Sequence, residues 1–524
     1  MASNSNSFLR VDREWPLRLL HIPTMRSMER QGENIYGTVA EPEYNILSYT
    51  WGRWQISRGP ALPIQDTTWN IPPVSPDHFS VADFERVLDH MRHTHDFAWV
   101  DIACIDQENE ELKADQVGKQ AAIFHGADSP FIWLNSHNTA EINNFATKLR
   151  AFEDEIAGED SGSLRYCRDE GWLNAINQVL GGFLKAPWFS SLWTLQEAFL
   201  RNDAVFLSRE GEVAMNGAVP FTLWTLITSC VVIYRRIRNF IDDSNIPPIL
   251  YNEIELQKVV TLLDDVGIYP LFLSNPLALY AASQKRQAKD ERDKVYGIMQ
   301  IFGLKLKQTS STIDELEYEF GRALLTESPV LSQCFIHTRP ATKGERWRIS
   351  QNFQVPEKCN GFVKPQSCCH IEWSKPGRAP IFKGEMCRAS QIIEQWSEAS
   401  YHSGRPNTRS VQNIAVDFGD VASRDIPESL RMQIHLPNDE RQHELAQWLV
   451  AIYEDLCIFK LGKVQGHAYG RRCDLWFGIL VVPTSRGDQR EIVWERVGIC
   501  HWEMMLELQG TEDSIWSIFE GVLG

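Results

Sequence analysis

The chain has 524 residues, of which 43% are hydrophobic and 23% are charged. These are the fractions of a soluble globular protein, and they exclude a largely disordered, collagen-like or coiled-coil chain. Acidic residues outnumber basic ones by 69 to 52, and the resulting net charge of −17 argues against general nucleic-acid binding because it repels phosphate backbones.

Apolar runs alternate with helical patterns through the first 210 residues. The predicted strands are Tyr44–Ser48, Phe97–Ile102, Pro130–Leu134 and Ala204–Leu207. The helical patterns fall at 80–91, 112–125, 140–157, 172–183 and 191–200, and the first opens with a capping box at Ser80 and Asp83. This alternation predicts an α/β fold, a parallel sheet with helices on both faces, whose ligands bind at the carboxyl ends of the strands.

The segments before and after this α/β region have different sequence patterns. A chain of this length also favours more than one domain. Residues 1–40 are expected to be an N-terminal lead-in and 41–210 the α/β domain. A helical extension over 211–330 follows. The pattern over residues 331–524 predicts an α+β C-terminal domain, with a helix near 441–456 and strands at 475–482 and 492–499.

The cysteine pattern and the apolar runs indicate the compartment. Eleven cysteines lack the spacing of a disulfide scaffold, and the first residues lack the pattern of a signal peptide, so we expect a reducing, cytoplasmic environment. The longest apolar run, Val219–Tyr234, is shorter than the ~20 residues of a membrane span. We interpret it as a buried helix and expect no membrane span.

Several common catalytic devices are absent from the sequence. There is no Walker-type phosphate loop, no dinucleotide-binding glycine pattern, no hydrolase nucleophile elbow and no H-E-x-x-H zinc motif. Cys359, Cys368, Cys369 and His370 form a Cys/His cluster, but their spacing does not fit a zinc site. We therefore predict no metal site.

Three segments carry a more specific pattern. They are Tyr44-Asn-Ile-Leu-Ser-Tyr-Thr-Trp-Gly52, Trp99-Val-Asp-Ile-Ala-Cys-Ile-Asp-Gln107 and Trp188-Phe-Ser-Ser-Leu-Trp-Thr-Leu-Gln-Glu197. In this order they resemble the signature blocks of the fungal heterokaryon-incompatibility (HET) domain family. Arg286 with Asp293-Lys-Val-Tyr-Gly-Ile298 resembles a segment common downstream in these proteins. Two positions depart from the family pattern, because Leu112 and Ser191 stand where it has arginines.

The resemblance implies a function. HET domains act in fungal non-self recognition, in which incompatible fusion triggers cell death, and the domain is the toxic effector. They are distantly similar to TIR domains, which implies a TIR-like or flavodoxin-like core. Some TIR domains cleave NAD at the nicotinamide–ribose bond with a glutamate in a W-x-x-x-E helix, the spacing of Trp193 and Glu197. NAD would then be a substrate, and no cofactor is implied.

The same resemblance assigns roles to residues. Glu197 and Asp101 would be the catalytic carboxylates, because cleavage builds positive charge on the ribose that a carboxylate stabilises. Trp193 would stack on nicotinamide. The full set of expected substrate-binding residues is Ser48, Tyr49, Trp51, Gly52, Asp106, Gln107, Trp193 and Gln196.

Each residue also fits a structural role. Glu197 can cap a helix or form an ion pair, Asp101 and Asp106 can terminate a strand, and Trp51 can fill the core. Cys104 fits a small buried hydrophobe better than a nucleophile, and Arg286 and Asp293 fit an ion pair that ties the helical extension to the core.

At the level of the whole protein, two alternatives stay open. One is a non-enzymatic signalling module that assembles through contacts between copies of the chain. The other is an accessory enzyme or regulator with a different ligand. The expected partners are a second copy of the chain and an unidentified protein in recognition.

Overall fold

A computed structural model describes residues 14–158, 165–241, 252–273, 275–304, 312–342, 344–350, 352–374, 379–393, 412–417, 442–468, 471–485, 492–503 and 515–524. The first 13 residues of the expected lead-in lie outside this part of the chain. The chain divides into two compact units. The first comprises Leu9–Ser274 and Ala282–Gln308, and the second mainly Asn275–Ala281 and Thr309–Gly524.

The helices of the described residues are, in chain order, α1 (Val81–Arg92), α2 (Asp101–Cys104), α3 (Glu110–Gly118), α4 (Gln120–Gly126), α5 (Thr139–Ala157), α6 (Glu170–Leu184), α7 (Pro187–Ser190), α8 (Leu192–Leu200), α9 (Leu223–Ile241), α10 (Glu253–Val266), α11 (Ile268–Leu273), α12 (Pro276–Ser283), α13 (Asp293–Met299), α14 (Ile313–Glu327), α15 (Pro329–Ser332) and α16 (Gln442–Ile452).

The first unit contains an eight-stranded sheet. Its strands are β1 (Arg18–His21), β2 (Arg26–Gln31), β3 (Ile35–Tyr36), β4 (Val39–Ala40), β5 (Tyr44–Ser48), β6 (Phe97–Trp99), β7 (Ser129–Trp133) and β8 (Val205–Leu207). Their order across the sheet is β4-β3-β2-β1-β6-β5-β7-β8. A two-stranded hairpin of β9 (Met215–Asn216) and β10 (Val219–Pro220) lies outside this sheet.

The four strands predicted from the apolar runs pair as expected. β5 is parallel to both β6 and β7, and β7 is parallel to β8. The other half of the sheet is antiparallel, since β1 pairs in this sense with β2 and with β6. The mixed α/β class is therefore confirmed, but the sheet is mixed rather than parallel throughout. The segment Arg18–Ala40, expected as a lead-in, supplies its antiparallel half.

The boundaries of the predicted elements shift for local reasons. The capping box at Ser80 and Asp83 forms and starts α1. The strand predicted over 97–102 ends at Trp99, and the short helix α2 begins at Asp101, whose carboxylate accepts the Ile102 N–H at 2.7 Å. The helix predicted over 112–125 is divided at Lys119 into α3 and α4.

The apolar run predicted to be a buried helix begins as a strand. Val219 and Pro220 belong to β10, and α9 starts at Leu223 with one face buried. Among the described residues, no helix has both the length and the apolar character needed to cross a membrane.

The second unit is rich in strands. These are β11 (Ile336–His337), β12 (Phe353–Gln354), β13 (Val363–Ser367), β14 (His370–Trp373), β15 (Pro380–Arg388), β16 (Gln412–Val416), β17 (Cys457–Ala468), β18 (Arg471–Ser485), β19 (Ile492–Glu503) and β20 (Ser517–Leu523). Eight of them form one sheet in the order β13-β17-β18-β19-β20-β15-β14, with β16 on β19. Because β15 also pairs with β17, five strands form a closed ring. Buried Arg496 pairs with Asp417 at 3.1 Å inside this unit.

The parallel half of the first sheet is covered on both faces. All five side chains of β5 are buried, which is the pattern of an inner strand of an α/β sheet. One of them is polar: the Asn45 Nδ2 donates to the carbonyl oxygens of Met91, His95 and Phe97 at 2.8–3.2 Å. Asn45 therefore fixes the end of α1 and the start of β6 against β5.

We expect Asn45→Ala to lower the free energy of unfolding by about 1–3 kcal/mol, because buried carbonyl groups lose a donor. Urea denaturation of the purified protein measures this loss. Asn70→Ala is the matched control, since Asn70 is exposed and its replacement should cost under about 0.5 kcal/mol. Equal stability of the two variants would contradict the assigned role of Asn45.

Candidate functional site

The carboxyl ends of β5 and β6 bring together residues that are far apart in sequence. Ser48 is the last residue of β5, and Asp101 follows β6 by two positions. Because β5 and β6 are parallel neighbours, both residues lie at the same edge of the sheet. Glu197, on α8, reaches this edge and contacts Ser48. The structure thus places both predicted carboxylates at the predicted edge.

Glu197 is held by two donors. The Ser48 hydroxyl donates to its Oε2 at 2.5 Å, and the Gln120 amide donates to its Oε1 at 3.2 Å. The Trp188 indole in turn donates to the Ser48 oxygen at 2.7 Å. An indole N–H can only donate, so it directs the Ser48 proton toward the carboxylate. The result is an ordered chain of donors from Trp188 through Ser48 to Glu197.

The electrostatic state of Glu197 is set by its surroundings. Burial raises its pKa to about 8, and the nearby negative charge of Asp101 acts in the same direction. The hydrogen bonds from Ser48 and Gln120 lower the pKa but do not offset the burial. At neutral pH the side chain therefore carries a proton in most molecules, which is the condition of a carboxyl group able to exchange a proton near pH 7.

Asp101 has its own set of donors. Its Oδ2 accepts the Trp51 indole N–H at 2.6 Å, and its Oδ1 accepts the Ile102 N–H. Burial raises the pKa of Asp101, and these donors, together with the Tyr49 hydroxyl, oppose the rise. Burial also raises the pKa of Tyr49 well above its usual range, and the Asp101 carboxylate adds to this. Asp101, Tyr49 and Trp51 thus form one polar group at the end of β6.

The space beside Glu197 is small. A cavity of about 10 Å³ is lined by Glu197, Ser48 and Trp188 together with apolar side chains such as Phe124. This volume holds at most one water molecule. In this conformation the cavity has no room for a nicotinamide ring, so a substrate would have to reach Glu197 after a rearrangement of the surrounding side chains.

Two predicted site residues stabilise the chain after α2. The Asp106 Oδ1 accepts the N–H groups of Glu108 and Asn109 at 2.9 and 3.0 Å, which is an Asx turn. The Gln107 amide donates to the carbonyl oxygens of Asp101 and Ile105. These contacts position the loop that follows the Asp101 group.

The two predicted residues on α8 besides Glu197 have different surroundings. Trp193 packs near Gly297 of α13, and its indole interacts with the Asp293 carboxylate, whose pKa is raised by burial and lowered by this contact. Gln196 is fully buried, and neither polar atom of its side chain has a hydrogen-bond partner among the described residues. Trp193 therefore joins α8 to α13.

Arg286 fixes the beginning of α8. Its fully buried guanidinium donates to the Ser191 carbonyl at 2.9 Å, to the Thr194 hydroxyl at 3.2 Å and to the Val266 carbonyl at 2.5 Å. Burial lowers its pKa to about 9. The predicted ion pair between Arg286 and Asp293 does not form; instead, each residue contacts α8 or the residue just before it.

Sequence reasoning overlooked three residues of this site. Trp188 opens the third block but was not assigned a contact, although its position in that block is a usable signal. Gln120 lies on α4, where nothing in the spacing distinguishes it. Arg53 follows the first block and donates to Gln287, Pro187 and Ser190. Its guanidinium lies against the segment just before Ser191. The family pattern has an arginine at the position of Ser191.

Cys104, near this edge, has the surroundings of an unreactive thiol. Cys104 is buried, and burial raises the pKa of its thiol to about 12, which fits the expected small hydrophobe. In the part of the chain that the structure describes, no group of three His, Cys, Asp or Glu side chains is placed to hold a metal ion.

The comparisons with known proteins agree with the resemblance. The sequence profile of the heterokaryon incompatibility protein (HET) family matches residues 44–197, the range that contains Ser48, Asp101 and Glu197. Residues 44–197 are therefore similar to the HET domain family, as the three sequence blocks indicate. A relative is heterokaryon incompatibility protein 6, OR allele, of Neurospora crassa, which is 22% identical over 396 residues, 67% of this chain and 55% of the relative. The chain thus spans about half the length of that relative. No solved structure matches the chain.

The raised pKa of Glu197 predicts a pH dependence of stability. Between its ordinary value of 4.5 and about 8, the folded state keeps a proton that the unfolded state has lost. The contribution of Glu197 is therefore greatest below about pH 4.5 and is lost as the pH rises to about 8, by at most about 1.4 kcal/mol per pH unit.

Glu197→Gln should remove this decline, so its free energy of unfolding should fall less between about pH 5 and pH 8 than that of the wild type. Urea denaturation across this range measures the difference. Asp101 interacts with Glu197, so part of the difference between the two profiles belongs to this pair, whereas carboxyl groups that do not interact with Glu197 contribute equally to both proteins and cancel. Parallel pH profiles would show that Glu197 ionises with its ordinary pKa.

Trp193→Ala should lower the free energy of unfolding by up to roughly 3–5 kcal/mol, the cost of truncating a fully buried ring, because a half-buried ring that packs near Gly297 of α13 is removed. Trp193→Phe keeps most of the packing and loses only the contact with Asp293, so its cost should be about 1 kcal/mol. Thermal and urea denaturation compare the two. A negligible loss for Trp193→Ala would favour a ring that faces a ligand rather than α13.

Proposed function

We propose that the protein acts in fungal heterokaryon incompatibility as a cell-death effector, and that its HET domain cleaves NAD at the nicotinamide–ribose bond. The observation that carries this proposal is the placement of Glu197 and Asp101 at one sheet edge, where each accepts hydrogen bonds from aromatic or hydroxyl donors. The name of the Neurospora crassa relative supports the role in heterokaryon incompatibility.

The proposed chemistry needs a negative charge beside the ribose. The bond between C1′ and the nicotinamide nitrogen breaks, and its electron pair leaves with the now neutral nicotinamide. The positive charge that develops on the ribose is stabilised by ionised Glu197, with Asp101 as the second carboxylate. A water oxygen then bonds to C1′ and loses a proton, which yields ADP-ribose.

A second function is favoured by a specific observation. The cavity of about 10 Å³ beside Glu197 and the saturation of its carboxyl oxygens by Ser48 and Gln120 fit a structural lock. On this alternative, the HET domain is a non-enzymatic module that signals by assembling with copies of itself or with a protein partner. The two functions differ in one measurable property, the release of nicotinamide.

Incubation of the purified chain with NAD, followed by chromatography for nicotinamide, tests the proposal. We expect release by the wild type and a loss of about 10²–10³-fold in Glu197→Gln, since one electrostatic contact with the transition state is removed. Glu111→Gln is the control, because Glu111 is exposed and lies outside the site. No release by a folded, assembled wild type would favour the assembly module.

The rate should rise with pH through about 8, because the ionised form of Glu197 is the active one and burial raises its pKa to about 8. Residual cleavage by Glu197→Gln should lack this rise. A rate that falls over the same range would assign Glu197 the opposite role of proton donor.

A further inference from the structure

A cleft of about 490 Å³ opens beside the turn that follows β5. Its lining residues are Gly52, Arg53, Gln55, Ile56, Ser57 and Lys289, all within the first unit. Two are basic and none is acidic. The volume is within the range of small-molecule sites, and it far exceeds the cavity beside Glu197.

Lys289 differs from the two basic residues that flank it in sequence, because each of those is paired with a carboxylate. Lys285 pairs with Asp265 at 2.8 Å, and Arg292 pairs with Asp290 at 2.6 Å. Lys289 lies between them and forms no ion pair with any residue that the structure describes. Lys289 therefore places a positive charge without a carboxylate partner at the cleft.

Arg53 is also held without a carboxylate. Its guanidinium donates to the Gln287 side chain, the Pro187 carbonyl and the Ser190 hydroxyl, all of them neutral acceptors. Burial lowers its pKa, because the charge is partly removed from water without a counter-charge. An anion that enters the cleft would supply this missing counter-charge.

The wall of the cleft is rigid and accessible. Trp54 stacks on His78 at 3.8 Å between ring centroids, and the Arg53 guanidinium lies 4.7 Å from the Trp54 ring. The Ile56 N–H bonds to the Pro73 carbonyl at 3.0 Å. A Cβ added at Gly52 would meet no atom within 4 Å, so a ligand can approach the backbone at this point.

We propose that this cleft binds a phosphate-bearing small molecule of nucleotide size, with Arg53 and Lys289 as the residues that recognise the phosphate groups. A guanidinium binds two phosphate oxygens at once, and an ammonium adds a point charge. The inference does not require cleavage of NAD and goes beyond the proposed function.

Calorimetric titration of the full chain with inorganic pyrophosphate and with AMP tests the proposal. We expect saturable binding that weakens as salt is added, and a dissociation constant at least about tenfold higher in Lys289→Gln. Lys148→Gln is the control, since Lys148 is exposed on α5, does not line the cleft and undergoes the same charge change. It should bind as the wild type does.

Lys289→Gln is the decisive variant, because Lys289 is exposed and its replacement should leave the fold intact. Arg53→Gln should weaken binding further, provided that its melting temperature stays that of the wild type. No saturation by either probe below about 10 mM, or wild-type affinity in Lys289→Gln, would overturn the proposal. Glu197→Gln should still bind both probes, which separates this result from the test of NAD cleavage.

Discussion

The hydroxyl group of Ser48 is the interaction on which the carboxyl edge of the sheet depends. Ser48 is the last residue of β5. Its hydroxyl accepts a hydrogen bond from the Trp188 indole of α7 and donates one to the Glu197 carboxyl group of α8. A hydroxyl has one proton, and an indole can only donate, so the polarity of the chain is fixed. α7 and α8 are therefore joined to the sheet with Glu197 pointing at the end of β5. An alanine at this position would leave both the indole and the carboxyl group without this partner.

The buried carboxyl group of Glu197 stabilises the fold in one protonation state and would serve the proposed reaction in the other. Burial favours the protonated form of Glu197, and the donors Ser48 and Gln120 favour the ionised form, with burial the larger effect. Protonated Glu197 stabilises the fold, whereas the proposed cleavage needs it ionised. A glutamine has one terminal oxygen, so it cannot accept the hydrogen bonds from Ser48 and Gln120 on two separate atoms as the Glu197 carboxyl group does. The two donors thus account for an acidic side chain at this position, and the proposed cleavage would make further use of its charge.

The parallel half of the fold was predictable because β5, β6, β7 and β8 are apolar runs separated by helical patterns. The antiparallel half was not. β2 reads Arg26-Ser-Met-Glu-Arg-Gln31, with too little apolar alternation to indicate a strand, and its pairing with β1 depends on tertiary context. The position of Asp101 and Glu197 at the carboxyl edge of the sheet was predictable from the order of the strands and from the sequence blocks that resemble the family. The contacts of Gln120 and Arg53 did not, because they join segments separated by 77 and more residues.

One short stretch of chain connects the two candidate sites. Ser48 and Trp51 face the carboxyl groups of Glu197 and Asp101, while Gly52 and Arg53 line the cationic cleft. Trp51 and Arg53 are two positions apart and adjacent Cα atoms are about 3.8 Å apart, so the residue that contacts Asp101 and the residue that lines the cleft are separated by at most about 8 Å of backbone. Arg53 donates to the Pro187 carbonyl and the Ser190 hydroxyl, so a guanidinium lies against the segment just before Ser191, the position at which the family pattern has an arginine.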